Sequence, residues 1–564
     1  MKYLMVLVLL YVQAAYGQTA LYDSIIAAET KPGMPGGVAL IAKNGVIVYE
    51  KAWGMADVEL EVPMQNDMVF CIGSVTKQFT AIAILRLAEQ GKLSLDDELT
   101  KYIPDYAVNG HRITIEHLLT HTAGIPENGQ KELPPSPRAY SPGEVVNTFK
   151  HLTIKKTPGE AYSYSNHGYI ILGAIIEKVT GVPYKTYLEK EFFQPLGMMQ
   201  TFYSDNARIW RHRASSYVYT RNGQIENGPE AARGSAASAG AIYSTVEDLL
   251  KWNQALVQYK LVKKETLDRA WTLYRLNNGK LSEYGYAWWA GELQGNRLVE
   301  HGGNAGGFMV HDIYFPDKKI FVAVFENFRG KLPELVATDL AAAALDRPLR
   351  YPQFRPDSLT LQSYTGLYTD SSGAGRYISL RNGKLWYQRE WTGGFGVTPY
   401  AKDSVVFDNT GSVGQFVRDR NGKIAGLEIR SVRRAPTSKG YQWKIQKLSL
   451  AQELEKIVRK DGAIAALKQF YIMKEDTACY FIKEFQFNQL GYQALNNDLV
   501  VAELMFRFNV ELFPRSANAF DSYGEALAKA GKREEAIVAY KTAVSLNPDN
   551  AASQQALAKL TKQP

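Results

Sequence analysis

The stretch FCIGSVTKQF, residues 70–79, places Ser74 three residues before Lys77 at the head of a strongly apolar run. On a helix, side chains at i and i+3 share one face and meet. A serine hydroxyl beside an uncharged amine is a nucleophile with its base, provided burial and nearby positive charge lower the amine's pKa from its usual ~10.4. A helix start adds backbone N–H groups and a positive field, both suited to a developing oxyanion. The motif is short enough to arise by chance, although this is its single occurrence in the chain. Its weight depends on company.

Two further stretches supply that company. PGEAYSYSNHGYIILGAIIEKVTG carries Tyr164-Ser165-Asn166 just before an apolar helix ended by Gly181, and VEHGGNAGGF carries His301-Gly302-Gly303 beside a strand. Supporting segments are TIEHLLTHTAGI at 114–125, PLGMMQT at 195–201 and SAGAIYSTVEDLLKW at 238–252. Over roughly residues 20–345 the chain resembles the serine β-lactamase and penicillin-binding protein superfamily, in its class C β-lactamase, D,D-peptidase and esterase branch.

That resemblance implies an α/β (α+β) β-lactamase-like catalytic domain with an antiparallel sheet and a helical cluster. It implies that Ser74 attacks a carbonyl and becomes acylated, with Lys77 as its proton partner. Tyr164 then shares the base role, ionising near cations such as Lys77, and later protonates the leaving group. Asn166 hydrogen-bonds a substrate amide or orients Lys77, and the backbone N–H groups of Ser74 and Asn304 form the oxyanion hole. In the third motif, His301 and Gly302 stand where a typical β-lactamase has the lysine and hydroxyl that grip a substrate carboxylate. A neutral imidazole grips a carboxylate less firmly, and His-x-Gly variants resemble esterase and aminopeptidase-like members. His301, Gly302, Gly303 and Asn304 are thus expected to bind substrate, which the resemblance leaves open among β-lactams, D-amino-acid peptides and small esters. No metal or cofactor is implied.

Other signals carry less chemistry. His117 and His121 stand four apart in HLLTH, but a leucine replaces the glutamate of a zinc hydrolase. Ser238 in ASAGA faintly resembles a nucleophile elbow, without that fold's strand and oxyanion loop around it, and reads as a small-residue turn lining the cleft. Cys71 and Cys479, the two cysteines, are far apart, and Cys71 reads as a small buried apolar side chain. Tyr284, Tyr286, Trp288 and Trp289 either rim the substrate site or pack in a core or surface sheet.

The elements that must position these residues follow from local pattern. Two β-rich runs flank Asn44-Gly45, a hairpin signal, and a second hairpin turns at Pro316-Asp317. The run SVTKQFTAIAILRLAEQG is apolar on nearly every face, as a buried central helix is, with Gly91 placed to end it. Residues 18–345 are expected to form the hydrolase domain. Pro348, Pro352 and Pro356 mark a linker at 346–356. Short alternating strands with turns at Asn382-Gly383 and Asn421-Gly422 predict a small antiparallel sheet or barrel over 357–447. Residues 449–564 read as helical, and 521–550 closely resemble a tetratricopeptide repeat, with Tyr523, Gly524, Ala526, Leu527, Gly531, Ala536, Tyr540 and Pro548 in place. Such repeats present a concave face for a protein partner.

Residues 1–17 read as a secretory signal peptide: Lys2, an apolar run from Tyr3 to Val12, then small residues before Gln18. That run is too short to span a bilayer, which takes ~20 residues, so an exported, periplasmic chain without a membrane span is expected. The net charge of +8 over 564 residues, with no basic block, excludes nucleic acid as a partner class. The reading is an exported serine hydrolase; a penicillin- or cell-wall-peptide-binding sensor without turnover is the alternative.

Overall fold

The computed structural model describes residues 17–562, apart from 128–130, 132, 135–139, 155, 205–208, 220–223, 230–235, 330–332, 353, 370–374, 382, 390–393, 409, 434–439, 445–447 and 477–478. The signal-peptide reading and Asn382 therefore lie essentially outside the described residues. Two compact units divide the chain. The first comprises Met1–Tyr351 with Asn409–Ser412 and Arg430–Ser438, and the second comprises Pro352–Asp408, Val413–Ile429 and Lys439–Pro564.

The first unit is built on a six-stranded antiparallel sheet. In spatial order its strands are Trp289–Leu293, Asn296–Ala305, Phe308–Phe315, Ile320–Glu326, Gly37–Lys43 and Val46–Trp53. Asn44 and Gly45 both take positive φ, 53° and 79°, as the tight turn of the first hairpin requires. The second hairpin turns between Phe315 and Ile320, as its Pro316-Asp317 predicts.

Alternation along the strands feeds two cores. Leu40 and Ala42 face one, Ala39 and Ile41 the other, and Phe321, Ala323 and Phe325 are separated from Val322 and Val324 in the same way. One face is covered by the helix Pro333–Ala344 and by residues 17–29, through Tyr22 and Ile26. The other carries the larger cluster, into which the helix Thr76–Glu89 sinks with every residue from Thr76 to Leu85 buried. Its apolar run around the full circumference is explained by this central placement. Gly91, at φ 70°, ends it as expected.

In the second unit, eight strands from Gly366–Thr369 to Gly440–Lys444 close into a barrel filled by Ile378, Tyr387, Val405, Phe416 and Leu427. Closure leaves no sheet edge exposed. Helices from Leu450–Asp461 to Ala551–Lys562 follow. Gly524 on Ala517–Lys529 lies against the ring of Tyr540 on Arg533–Leu546, where a Cβ would come within 3.1 Å of the ring. Gly491 makes the same approach to Phe506 one helix pair earlier, at 2.5 Å, so the looser preceding unit repeats the device. Among the described residues no helix is long and apolar enough to cross a membrane.

Candidate active site

Ser74 sits in a single 3-10 turn, Gly73–Val75, that runs directly into Thr76–Glu89. Gly73 takes φ 50°, and a Cβ there would lie 2.6 Å from the backbone nitrogen of Asn304. A Cβ on Gly303 would lie 1.9 Å from the Ile72 carbonyl and 3.3 Å from the Ser74 nitrogen. Only glycine at both positions lets the nucleophile turn lie this close to the strand Asn296–Ala305. The backbone nitrogens of Ser74 and Asn304, paired by the sequence reading, are thereby brought together beside the Ser74 hydroxyl.

Lys77 is completely buried. Its Nζ lies 3.0 Å from Ser74 Oγ, 2.8 Å from Asn166 Oδ1 and 2.9 Å from the Ala239 carbonyl. A neutral amine has two N–H donors and one lone pair. Donation to Asn166 and Ala239 leaves the lone pair for the Ser74 O–H. Burial favours that neutral state, lowering the Lys77 pKa to about 7, against an opposing pull from the Glu127 carboxylate.

Asn166 opens the helix Asn166–Thr180, capped by Ser165, whose side chain accepts the Gly168 N–H. Its amide is held at both ends, since Nδ2 donates to Glu127 Oε2 at 3.1 Å. Glu127 also accepts the His167 N–H at 3.2 Å, completing an acidic group at a helix N-terminus. Of the two roles expected for Asn166, the geometry supplies the orientation of Lys77. Ala239 belongs to the short helix Ala237–Gly240. Ser238 itself is buried, its Oγ bonded to the Tyr169 carbonyl at 2.9 Å, so it lies beneath the cleft and does not line it.

Tyr164 departs from expectation. Its hydroxyl hydrogen-bonds with Ser74, and Lys77 Nζ lies 4.8 Å from its ring centroid, yet burial pushes its pKa upward. Burial thus favours the protonated phenol, a form suited to donate a proton. Under it packs His121, with ring centroids 4.2 Å apart. His121 Nδ1 accepts the Ser165 N–H at 3.0 Å, and burial holds the imidazole neutral. It is a platform for the tyrosine motif, and His117 serves in the capping box of Ile115–Leu119; among the described residues no group of side chains could hold a metal.

His301 is more enclosed than its motif suggests. It is 0% exposed, with Nδ1 2.7 Å from the Gly302 carbonyl and Nε2 2.8 Å from the Tyr284 hydroxyl. A nitrogen facing a carbonyl must carry the proton, so Nε2 accepts from Tyr284. Both nitrogens are occupied, and burial lowers the pKa to about 3, so the imidazole is neutral and buried. Gly302 is equally structural, since a Cβ there would lie 3.1 Å from His311 Nδ1. Of the aromatic run, Tyr284, Tyr286 and Trp288 are core, whereas Trp289 is half-buried, 4.4 Å from His301 and stacked on Tyr164 at 6.1 Å between ring centroids. Cys71 is buried, its thiol pushed up to about 12 by desolvation, and it forms no disulfide with exposed Cys479.

Glu127 escaped the sequence reading, since a lone acid in a loop carries no spacing signal.

A lysine whose pKa falls on folding binds fewer protons in the folded than in the unfolded chain between about pH 7 and its unfolded value. Stability from this group is therefore lowest below pH 7 and rises above it. The thermal midpoint of the wild type, measured relative to Lys77→Met, is expected to rise from pH 6 to pH 9; a constant difference would contradict a buried, depressed Lys77.

Comparison with known proteins identifies the family. Residues 22–347 match the family model described as Beta-lactamase. The chain is 26% identical over 382 residues to penicillin-binding protein 4* of Bacillus subtilis, spanning 62% of this chain and 83% of that protein. It is 30% identical over 325 residues to protein flp of Staphylococcus aureus, spanning 56% of this chain and 64% of that protein. The octameric penicillin-binding protein homologue from Pyrococcus abyssi superposes with a TM-score of 0.55 at 26% identity, covering 76% of this chain and 99% of that one. With more than half of its length matched by the family model, and with the serine, tyrosine and asparagine gathered around the Lys77 amine, the chain belongs to the Beta-lactamase family.

Proposed function

We propose that the chain is an exported serine acyl hydrolase acting through an acyl-enzyme on Ser74. The observation that carries this reading is the Lys77 amine, stripped of water and aimed by Asn166 and Ala239 at the Ser74 hydroxyl. Ser74 Oγ attacks the substrate carbonyl carbon as its proton passes to Lys77 Nζ. The N–H groups of Ser74 and Asn304 receive the oxyanion, and Tyr164 gives its proton to the departing nitrogen or oxygen, drawing a replacement from Lys77. Water then attacks the ester on Ser74 by the same route.

The charges around Ser74 favour one substrate class among the three. His301 offers no cation to the carboxylate of a β-lactam, whereas Glu127 offers an exposed carboxylate beside Asn166. A substrate with a free ammonium next to its scissile carbonyl, such as an amide or peptide with an N-terminal D-amino acid, fits that arrangement. We assign the C-terminal helices, on their repeat resemblance, to a protein partner, and the leader read at residues 1–17 makes the substrate one met outside the cytoplasm.

Purified protein is expected to hydrolyse D-alanine p-nitroanilide and p-nitrophenyl acetate, with both activities lost in Ser74→Ala. The kcat/KM of the free enzyme should fall on the acid side of about pH 7, as Lys77 takes up its proton. A long-lived acyl adduct without turnover would support the sensor instead. Glu127→Gln should raise KM for the anilide about tenfold, the scale of one charge-assisted hydrogen bond, and leave the KM of the acetate, which has no ammonium, within about twofold, any loss through Asn166 and Lys77 falling on the kcat of both substrates alike.

A further inference from the structure

Behind the His301-Gly302-Gly303 strand, on the face turned away from the nucleophile helix, lies a buried cluster of charge that the reaction does not use. Glu300, 1% exposed, immediately precedes His301, and its carboxylate accepts a hydrogen bond from Arg433 Nη1. The same nitrogen lies 2.9 Å from Nε2 of His311, which sits across the strand pair from Gly302. Nη2 of Arg433 reaches Glu334 on Pro333–Ala344 at 2.8 Å. The Arg433 carbonyl in turn accepts the Glu292 N–H on the edge strand Trp289–Leu293 at 3.1 Å. Arg433 is itself 6% exposed and belongs to the first unit through the segment Arg430–Ser438. The family match ends at residue 347, so this guanidinium comes from far outside the matched stretch.

We infer that Arg433 is a positioning residue for hydrolysis, holding the strand that carries Asn304 in register against the Ser74 turn by neutralising Glu300 and Glu334 behind it. The inference rests on the reading of Ser74 and Asn304 as the oxyanion donors. Glu300 Oε2 also lies 3.2 Å from His311 Nε2, but a buried carboxylate that loses its guanidinium partner must draw in water, a proton or a new neighbour. Glu300 can do so by shifting the strand four residues before Asn304, where Gly303 tolerates no displacement toward Ile72. Arg433 is therefore a working part of the catalytic unit, and the 22–347 stretch does not carry the whole device.

The test uses the full-length chain with p-nitrophenyl acetate, in Arg433→Met, Arg433→Lys and the double variant Glu300→Gln/Arg433→Met, with Ser74→Ala as blank. Oxyanion contacts strengthen in the transition state, so misplacement lowers kcat and leaves KM nearly unchanged. Arg433→Met is expected to lose at least tenfold in kcat per folded molecule, and Arg433→Lys less. The double variant, which leaves no unpaired charge at Glu300 and only the partly exposed carboxylate of Glu334 without the guanidinium, should recover to within about threefold of wild type. Wild-type kcat in Arg433→Met would overturn the proposal, as would a tenfold loss that persists in a folded double variant. Should Arg433→Met not fold, the double variant decides by the same criterion. Wild type with no Ser74-dependent turnover would instead remove the hydrolase reading, and this proposal with it.

Discussion

The removal of water from the Lys77 amine is the constraint on which the rest of the site depends. A lysine left in solvent is an ammonium and has no lone pair to offer a serine. This one is enclosed by placing it in the first turn of a helix that is apolar all round, sunk between the sheet and the helix Asn166–Thr180. Each neighbour is then held by something else. Asn166 is fixed by Glu127, the Ala239 carbonyl belongs to a helix tied down by Thr80, which donates to the Ser238 carbonyl at 2.6 Å, and the Ser74 turn is pressed against Asn304 by two glycines.

The same desolvation sets the charge pattern. Burial keeps Tyr164 protonated and holds His121 and His301 neutral, so Lys77 is surrounded by groups that supply shape and dipoles rather than competing charge. Asp312, on the sheet, is raised to about 7 by burial and is bound through both oxygens by Gln78, the residue after Lys77. Formal charge is kept to the rim, at Glu127, and to the back of the sheet, where Arg433 meets two carboxylates.

How much of this could be read in advance depended on whether a residue's role was local. The Ser74 and Lys77 spacing, the Asn44-Gly45 turn, the second hairpin and the helix ended by Gly91 are written in neighbouring residues, and each stands where the pattern put it. Tyr164 and Asn166 were legible through motif resemblance. The burial of Tyr164 and the pairing of His301 with Tyr284 were not legible for one reason: both are set by tertiary packing, which spacing does not encode. Glu127 and Arg433 are isolated charges in loops, given meaning only by what the fold brings to them. The barrel was visible as alternating strands, but its closure depends on the pairing of its first and last strands.

The central claim is that burial makes the Lys77 amine available as a base near physiological pH, and the most direct measurement is its titration. Nuclear magnetic resonance of the lysine side chains, with the Lys77 signal identified by its loss in Lys77→Met, reads the protonation of that amine alone. A midpoint near about 7 is the expected result. A midpoint above about 9, close to that of an exposed lysine, would mean that the amine is an ammonium in the resting site, and that the proton of Ser74 leaves by another route.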